Sequence, residues 1–442
     1  MCRLNVAAAS EKGMQIMSDL TPYGLIGRKL GHSDSPAIHA AFGNPDYQCF
    51  PLEPQALEAF LEQPHLRGLN VTIPYKITVM PFCKRLDPLA EAIGSVNTMV
   101  RDADGMWTGY NTDAYGFRYL MQRAGLSFAG EQVLILGNGG ASQTVQAIAK
   151  LDGAASITVA SRGSEHNYDH MERYAHCTLI INATPVGMYP NAGNALVDLR
   201  MFPQCHGVVD LIYNPCRTAL LLQAEQLGIP YGGGLPMLVA QAKQAEELFL
   251  HTSIAETEIE RVGTMLQQQN ESIVLIGMPG CGKSTIGKAL AAHTGKQAID
   301  LDQEIERKAG KSIPKIFAAE GEAYFRQLEH EAVMEWTQKR GLILMTGGGV
   351  VLDHANHAPL RSNGKIYWIR RPLSMLPTDG RPLSQQNRLE ALEQVRNPLY
   401  AALSQTQIDN TGTPQQAAAE IWRDYCAYTR SQWTKSESAG LA

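Results

Sequence analysis

Cysteine is scarce in this chain: eight occur in 442 residues and none forms a C-x-x-C pair. That spacing offers neither a disulfide framework nor a paired-thiol metal site, so the thiols read as free. Long apolar runs are missing too, with nothing approaching the roughly 18 residues that a spanning helix needs. The first twenty residues carry Arg3, Glu11, Lys12 and Asp19 and lack an apolar secretory core, so the expectation is a cytoplasmic chain. An excess of one charge is also absent. Lys and Arg number 38 against 43 acidic residues, a net charge of -5, which leaves no broad cationic face for a nucleic-acid backbone but permits small local anion sites. With 44% apolar and 18% charged residues, the composition is that of an ordinary globular protein. The expected partners are small molecules, with no nucleic acid and no membrane, and the chain itself is expected as a monomer or homodimer.

At about 150 residues per domain, the length suggests roughly three units. Two short apolar runs, Val133 to Leu136 and Ile273 to Ile276, each end in a glycine-rich turn followed by helix-compatible sequence. Strand, turn and helix in that order mark nucleotide-binding α/β units. An α/β region precedes them, with strand-like Tyr23 to Ile26 and Leu69 to Ile73 and helical stretches around Pro54 to Leu61 and Pro88 to Ile93. A helical pattern spans about Met237 to Met265, and the polar stretch Gln267 to Ser272 after it reads as a linker.

The first glycine loop, Gly137-Asn138-Gly139-Gly140-Ala141-Ser142, nearly matches the G-x-G-x-x-G/A dinucleotide fingerprint. Its glycines permit a tight turn and close approach to a pyrophosphate, and the helix behind it presents unpaired N–H groups. The next strand, Ile157 to Ala160, runs into Ser161-Arg162 where an NAD-type domain carries an acidic residue. Arg162 there suits a 2′-phosphate, although an arginine at a strand end is more commonly just solvated. Upstream stand His32-Ser33-Asp34-Ser35-Pro36, Asn70 to Lys76, Ser95-Val96-Asn97-Thr98 and Gly109 to Asp113; downstream stand Ile181 to Met188, Asp210 to Pro215 and Gly234 to Gln241. Each upstream cluster alone reads equally as capping or turn chemistry.

Together these clusters resemble the shikimate dehydrogenase family from about Tyr23 to Phe249. The resemblance implies Lys76 and Asp113 as the catalytic pair, and Ser33, Ser35, Thr72, Asn97, Tyr213 and Gln241 as the residues that hold shikimate. It implies NADP(H) on Gly137, Asn138, Gly139, Gly140, Ala141, Ser161, Arg162 and Gly234. The residue types suit that chemistry, because reduction of a ketone builds negative charge on oxygen that an ammonium can stabilise and protonate. Without the resemblance, Lys76 and Asp113 would read as a structural ion pair. Two departures stand out: the family's usual Asn-Arg-Thr is here Ser161-Arg162-Gly163, and only about twenty residues join Arg162 to Asn182. A helix and a strand are expected to be trimmed there.

The second loop, Gly277-Met-Pro-Gly280-Cys-Gly282-Lys283-Ser284, satisfies G-x-x-x-x-G-K-[ST] between a strand and a helix. Its backbone N–H groups cradle phosphates, the lysine reaches their oxygens and the serine can ligate Mg2+. Cys281 inside it reads as a bystander thiol. Asp300 and Asp302 are expected two apart on one face of a strand end. With Gly321 to Arg326, Thr346 to Gly349, Arg381-Pro-Leu383 and Arg396 to Tyr400, the region from Ser272 to about Tyr428 is similar to shikimate kinase. That similarity implies shikimate on Asp302, Arg326, Arg396 and the glycines Gly347, Gly348 and Gly349, with Asp302 as the catalytic base. ATP would lie on Gly280, Gly282, Lys283, Ser284, Thr285 and Arg381, with Lys283 also catalytic, and Mg2+ on Ser284 and Asp300. The stretch before Arg381 is shorter than the usual lid, and Val395 stands where a glutamate is common.

The fold expected is α/β throughout. A substrate domain spans 20–115, completed by the helix at about 237–265, a Rossmann-type NADP domain spans 116–236, and 267–272 links them to a P-loop domain of nucleoside-monophosphate-kinase type at 273–430. The function implied is NADPH-dependent reduction of 3-dehydroshikimate to shikimate, followed by MgATP-dependent phosphorylation to shikimate 3-phosphate. Two alternatives are an NAD-linked quinate/shikimate dehydrogenase fused to a kinase, which Arg162 disfavours, and a non-catalytic shikimate-sensing regulator, which the presence of Lys76, Asp113, Lys283 and Asp302 disfavours.

Overall fold

A computed structural model describes residues 22–31, 33–190, 192–376 and 386–434. The chain divides into two compact units. Among the described residues, one holds those up to Thr184 with Leu199–Leu211 and Ile229–Gly263; the other holds those of Pro185–Asp198, Ile212–Gly228 and those from Thr264 onward. No helix among the described residues is long and apolar enough to cross a membrane.

The first unit contains two sheets. Strands β1 (Tyr23–Gly27), β2 (Gln48–Pro51), β3 (Gly68–Val71), β4 (Arg85–Leu86), β5 (Thr98–Arg101) and β6 (Trp107–Tyr110) form a mixed sheet of order β2-β1-β3-β5-β6-β4, antiparallel at β3/β5 and β5/β6. The helix Leu235–Leu250 covers it, and the Phe249 ring lies so close over Gly68 that a Cβ there would overlap it. The second sheet is wholly parallel, with β7 (Gln132–Leu136), β8 (Ser156–Ala160), β9 (Leu179–Asn182), β10 (Gly207–Asp210) and β11 (Tyr231–Gly233) in the order β11-β10-β9-β7-β8. The central strands β7, β9 and β10 are almost continuously apolar and buried, as strands covered on both faces must be. Between β8 and β9 the chain makes a 3-10 turn at Met171–Tyr174 and no full helix, so the short spacing seen in the sequence leaves a five-stranded sheet.

The second unit carries β12 (Ser272–Ile276), β13 (Ala298–Asp300), β14 (Ile343–Met345), β15 (Gly364–Arg370) and β16 (Thr406–Asp409), all parallel in the order β13-β14-β12-β15-β16. β12 sits centrally, where the strand order reverses. Its carboxyl end therefore opens into the crevice where α/β sheets bind ligands.

Three expectations need correction. The pattern from Met237 to Met265 is two helices, Leu235–Leu250 and Thr257–Asn270, broken at His251 (φ +50°), whose left-handed backbone ends the first. The stretch Gln267 to Ser272 is no loose linker. Residues 267–270 end the second helix, Glu271 is buried and Ser272 starts β12. Glutamine and glutamate are good helix formers, and Gln267 Nε2 donates to Glu271 Oε2 at 2.9 Å. Finally, β13 stops at Asp300. Its carboxylate caps the helix Leu301–Ala309 by accepting from Asp302 N–H at 3.2 Å, so Asp302 stands in a helical first turn rather than on a strand.

Candidate active sites

The turn after β3 carries Lys76, and the helix Asp113–Arg123 begins with Asp113. Lys76 Nζ donates to Asp113 Oδ2 at 2.5 Å, with side chains 18% and 12% exposed. A carboxylate in the first turn of a helix is favoured by the helix dipole. Asn97 lies beside this pair because Val96 N–H donates to Lys76 O at 2.8 Å. Its Oδ1 accepts from Thr112 N–H at 2.7 Å, its Nδ2 donates to Thr112 Oγ1 at 3.0 Å, and Thr112 Oγ1 donates to Gln241 Oε1 at 3.4 Å. Lys76, Asn97, Asp113 and Gln241 are thus gathered, with Thr112, inside the Gly109 to Asp113 motif, as the hub between Asn97 and Gln241. Ser33 and Ser35 pair through their hydroxyls at 3.0 Å, and Thr72 is half-buried beside Gly27. Tyr213 follows β10 in the Ile212–Gly228 stretch, which belongs to the second unit.

At the carboxyl end of β7, Gly137 has φ +101° and a Cβ there would lie 2.7 Å from Thr184 Cγ2 and 3.1 Å from Ala183 O, so glycine is required. Ser142 Oγ donates to Gly137 O at 2.7 Å and locks the turn from inside. A Cβ at Gly139 or Gly140 would meet nothing within 4 Å. That open backbone, at the N-terminus of the helix Gly140–Leu151 that also carries Ala141, leaves room for a pyrophosphate, with Asn138 exposed at its edge. Beyond β8 the chain turns through Ser161, whose N–H donates to His166 O at 2.8 Å, and leaves Arg162 exposed. Tyr168 lies close to both Arg162 and Gly137: burial raises its hydroxyl's pKa, while the arginine and a Gly137 backbone hydrogen bond oppose the rise. Nothing in the sequence singled out Tyr168. Gly234 is buried at the start of the helix Leu235–Leu250.

The second unit's phosphate loop takes three left-handed turns, at Gly277 (φ +144°), Gly280 (+86°) and Gly282 (+101°). A side chain at Gly277 would overlap Ile369 O, and one at Gly282 would come within 2.5 Å of Asn410 Nδ2. Asn410, at the end of β16, holds the loop by donating to Cys281 O at 2.7 Å. No spacing pointed to it. Lys283 Nζ donates to Gly277 O and Met278 O at 2.8 and 3.0 Å, so the ammonium is held inside the loop. Ser284 Oγ donates to Asp300 Oδ2 at 2.6 Å, which brings together a hydroxyl and a carboxylate of the hard oxygen kind that Mg2+ takes along with water and phosphate. Thr285 is exposed one residue further along the same helix. Arg381 lies outside the described residues.

A second polar cluster is built around three glycines after β14, each facing a different group. A Cβ at Gly347 would lie 2.7 Å from both Asp302 Oδ1 and Glu329 Oε1, one at Gly348 would lie 2.6 Å from Pro279 Cδ, and one at Gly349 would overlap the Arg326 guanidinium. Arg326 Nη1 donates to Glu329 Oε2 at 2.7 Å and Nη2 to Glu322 Oε1 at 2.9 Å. Arg396 Nη1 donates to Gly348 O at 3.1 Å, an oxygen that also accepts from Tyr400 Oη. Glu329 was missed, although its i+3 spacing from Arg326 was a usable signal. Asp302 Oδ1, Glu329 Oε1 and Arg396 Nε are all buried without a hydrogen-bond partner. Burial raises the Asp302 carboxyl's pKa, against the pull of Lys283, and burial likewise raises that of Glu329. Unsatisfied donors and acceptors so close together suit a polar ligand that supplies their partners.

These two sites define an oxidoreductase of the dinucleotide-binding type and a P-loop phosphotransferase on one chain. A family model described as shikimate dehydrogenase substrate binding domain matches residues 25–99, and one described as shikimate kinase matches residues 279–426. The shikimate dehydrogenase (NADP(+)) of Clostridium perfringens is 36% identical over 248 residues, covering 51% of this chain and 91% of that protein. The enzyme of the same name from Dehalococcoides mccartyi is 33% identical over 287 residues, covering 58% of this chain and 100% of its own. A solved chorismate mutase/shikimate 5-dehydrogenase fusion protein from Clostridium acetobutylicum superposes with a TM-score of 0.53 at 34% identity, covering 56% of this chain and 97% of that one. The chain belongs to the shikimate dehydrogenase family and continues into a shikimate kinase domain, so it is a bifunctional shikimate-pathway enzyme.

Proposed function

We propose that the chain reduces 3-dehydroshikimate to shikimate with NADPH and then phosphorylates the new 3-hydroxyl with MgATP, giving shikimate 3-phosphate, in the cytoplasm. What supports both steps is the coexistence of a lysine–carboxylate pair beside a hydroxyl- and amide-rich cluster with a second pocket whose buried polar atoms lack partners.

In the first step NADPH, when bound, supplies the hydride. Lys76 stabilises the negative charge that grows on the ketone oxygen and gives that oxygen its proton. Asp113 holds the ammonium in place through their ion pair. Asn97, Gln241 and the Ser33–Ser35 hydroxyls bind the ring substituents and the carboxylate, and Arg162 selects the dinucleotide bearing a 2′-phosphate.

In the second step Lys283 exchanges the carbonyls of Gly277 and Met278 for phosphate oxygens. Ser284 and Asp300 would hold Mg2+, which when bound would neutralise phosphate charge. Asp302 accepts the proton of the attacking hydroxyl, for which its raised pKa makes it a better base than an exposed carboxylate. Arg326 and Arg396 present guanidinium forks to the carboxylate of shikimate.

Product analysis after mixing the chain with 3-dehydroshikimate, NADPH and MgATP tests the whole reading. Shikimate 3-phosphate is expected, in amounts equal to the NADPH consumed when ATP is in excess. Accumulation of shikimate with ATP untouched would remove the second step, and absence of NADPH oxidation would remove the first.

A further inference from the structure

The second unit contains two stretches, Pro185–Asp198 and Ile212–Gly228, that chain order puts between the strands of the dinucleotide fold. Arg217, in the second of them, is only 13% exposed. Its backbone N–H donates to Ser362 O at 2.8 Å, its Nε to Arg361 O at 2.8 Å, its Nη1 to Tyr428 Oη at 3.3 Å, and its Nη2 to Glu271 Oε1 and Gly364 O, both at 2.9 Å. Tyr189, from the first stretch, donates to Thr337 O at 2.7 Å and lies 3.1 Å from Ser362 Oγ.

We propose that this surface of the kinase domain is a docking site for the dehydrogenase-derived segments of the same chain, and that Arg217 is the residue that locks them together. The electrostatics select the occupant. Glu271 is 1% exposed, and a carboxylate so deeply buried is tolerated only with a matched cation. Lys296 and Lys365 lie near enough to feel its charge, but the first donates to main-chain carbonyls and the second is paired with Asp424. Arg217 alone among them meets the carboxylate at ion-pair distance. It also ties down the amino ends of two central strands, since Glu271 immediately precedes β12 and Gly364 begins β15. Both Arg217 and Glu271 lie outside residues 279–426, so the part of the chain that matches shikimate kinases is not by itself the complete cooperative unit.

The test uses the full chain and the variants R217M, R217K, E271Q and R217M/E271Q. One measurement is amide exchange in Ile273 to Ile276 and Lys365 to Ile369, which needs no activity; the other is the rate of kinase inactivation at raised temperature, which rests on the kinase reading. R217M is expected to speed both on the order of tenfold or more, because it leaves a buried charge unpaired. Adding E271Q in the R217M chain should restore most of the loss, and R217K, which keeps the charge and loses the fork, should fall between wild type and R217M. If R217M does not accumulate in soluble form, recovery in R217M/E271Q and the intermediate R217K carry the same conclusion. Exchange and inactivation of R217M and R217K equal to wild type, or a double variant no better than R217M, would overturn the proposal. A wild-type chain without kinase activity would fault the functional reading and leave exchange to decide the docking.

Discussion

The two polar clusters, one in each unit, differ in how their groups are satisfied. Around Lys76 and Asp113 the polar side chains already have partners: the lysine pairs with the carboxylate, and Asn97, Thr112 and Gln241 bond to one another in turn. Around Gly347 the buried atoms Asp302 Oδ1, Glu329 Oε1 and Arg396 Nε have no partner. The first cluster is pre-assembled and its ion pair is partly open to solvent, so losing one member harms chemistry more than folding. The second holds charges whose burial costs stability until a ligand answers them. A similar contrast separates the first glycine loop from the glycines after β14. Open space surrounds the Cβ position of Gly139, whereas those of Gly347 and Gly349 fall on the Asp302, Glu329 and Arg326 side chains.

The largest expected effect breaks one site and spares the other. Lys76→Ala should lower reductase turnover by about 10²- to 10⁴-fold and leave phosphorylation of added shikimate unchanged, while Asp302→Asn should do the reverse. Separate assays of both reactions on each variant check this; loss of both activities in a folded variant would contradict two independent sites. Next, Gly347→Ala should cost the kinase on the order of 10²-fold, since the methyl displaces the Asp302 and Glu329 carboxylates, whereas Gly139→Ala should change folding stability by less than about 1 kcal/mol. Kinase kinetics for the first and a thermal melt for the second provide the readouts. Arg162→Ala should weaken NADPH roughly 10- to 150-fold and NADH little, corresponding to about 1.5 to 3 kcal/mol for a charge-assisted contact. Titration of both dinucleotides decides it, and equal weakening would show that Arg162 does not read the phosphate.

The smallest effect is on stability against pH. Asp302 and Glu329 have folded pKa values raised by burial, so the folded unit binds their protons more tightly than the unfolded chain. Their contribution to stability is full below the ordinary carboxylate range and is lost as pH rises through the raised values. Asp302→Asn carries no such charge. It should therefore melt higher than the wild-type chain at pH 8 and lose that advantage toward pH 4, in melts without ligand; a difference independent of pH would show that Asp302's burial is not what shifts it.

Much of this was legible in the sequence because the responsible features are local. The strand, glycine turn and helix around Gly137 and Gly277 need only a few adjacent residues to take left-handed conformations at the end of an apolar strand. Arg162 follows from its place after β8, and the thin crossover to β9 from the short spacing. Where local cues are ambiguous, the sequence misleads in traceable ways. Gln267 to Ser272 read as linker because polarity marks loops as well as exposed helix ends. Asp302 read as strand because a capping aspartate, Asp300, ends one element and starts another within a single residue.

By itself, then, the sequence determined the chemistry available: which loops can hold phosphates, which lysines and carboxylates are present, and that the sheets alternate with helices. Only the tertiary structure decided which of those groups meet. Lys76 and Asp113 lie 37 residues apart, Gln241 is 129 residues from Thr112, and Arg217 is 54 residues from Glu271. No local propensity encodes such distances. They follow from the packing of helices on sheets, and that packing also decides whether a charge is exposed and cheap or buried and in need of a partner.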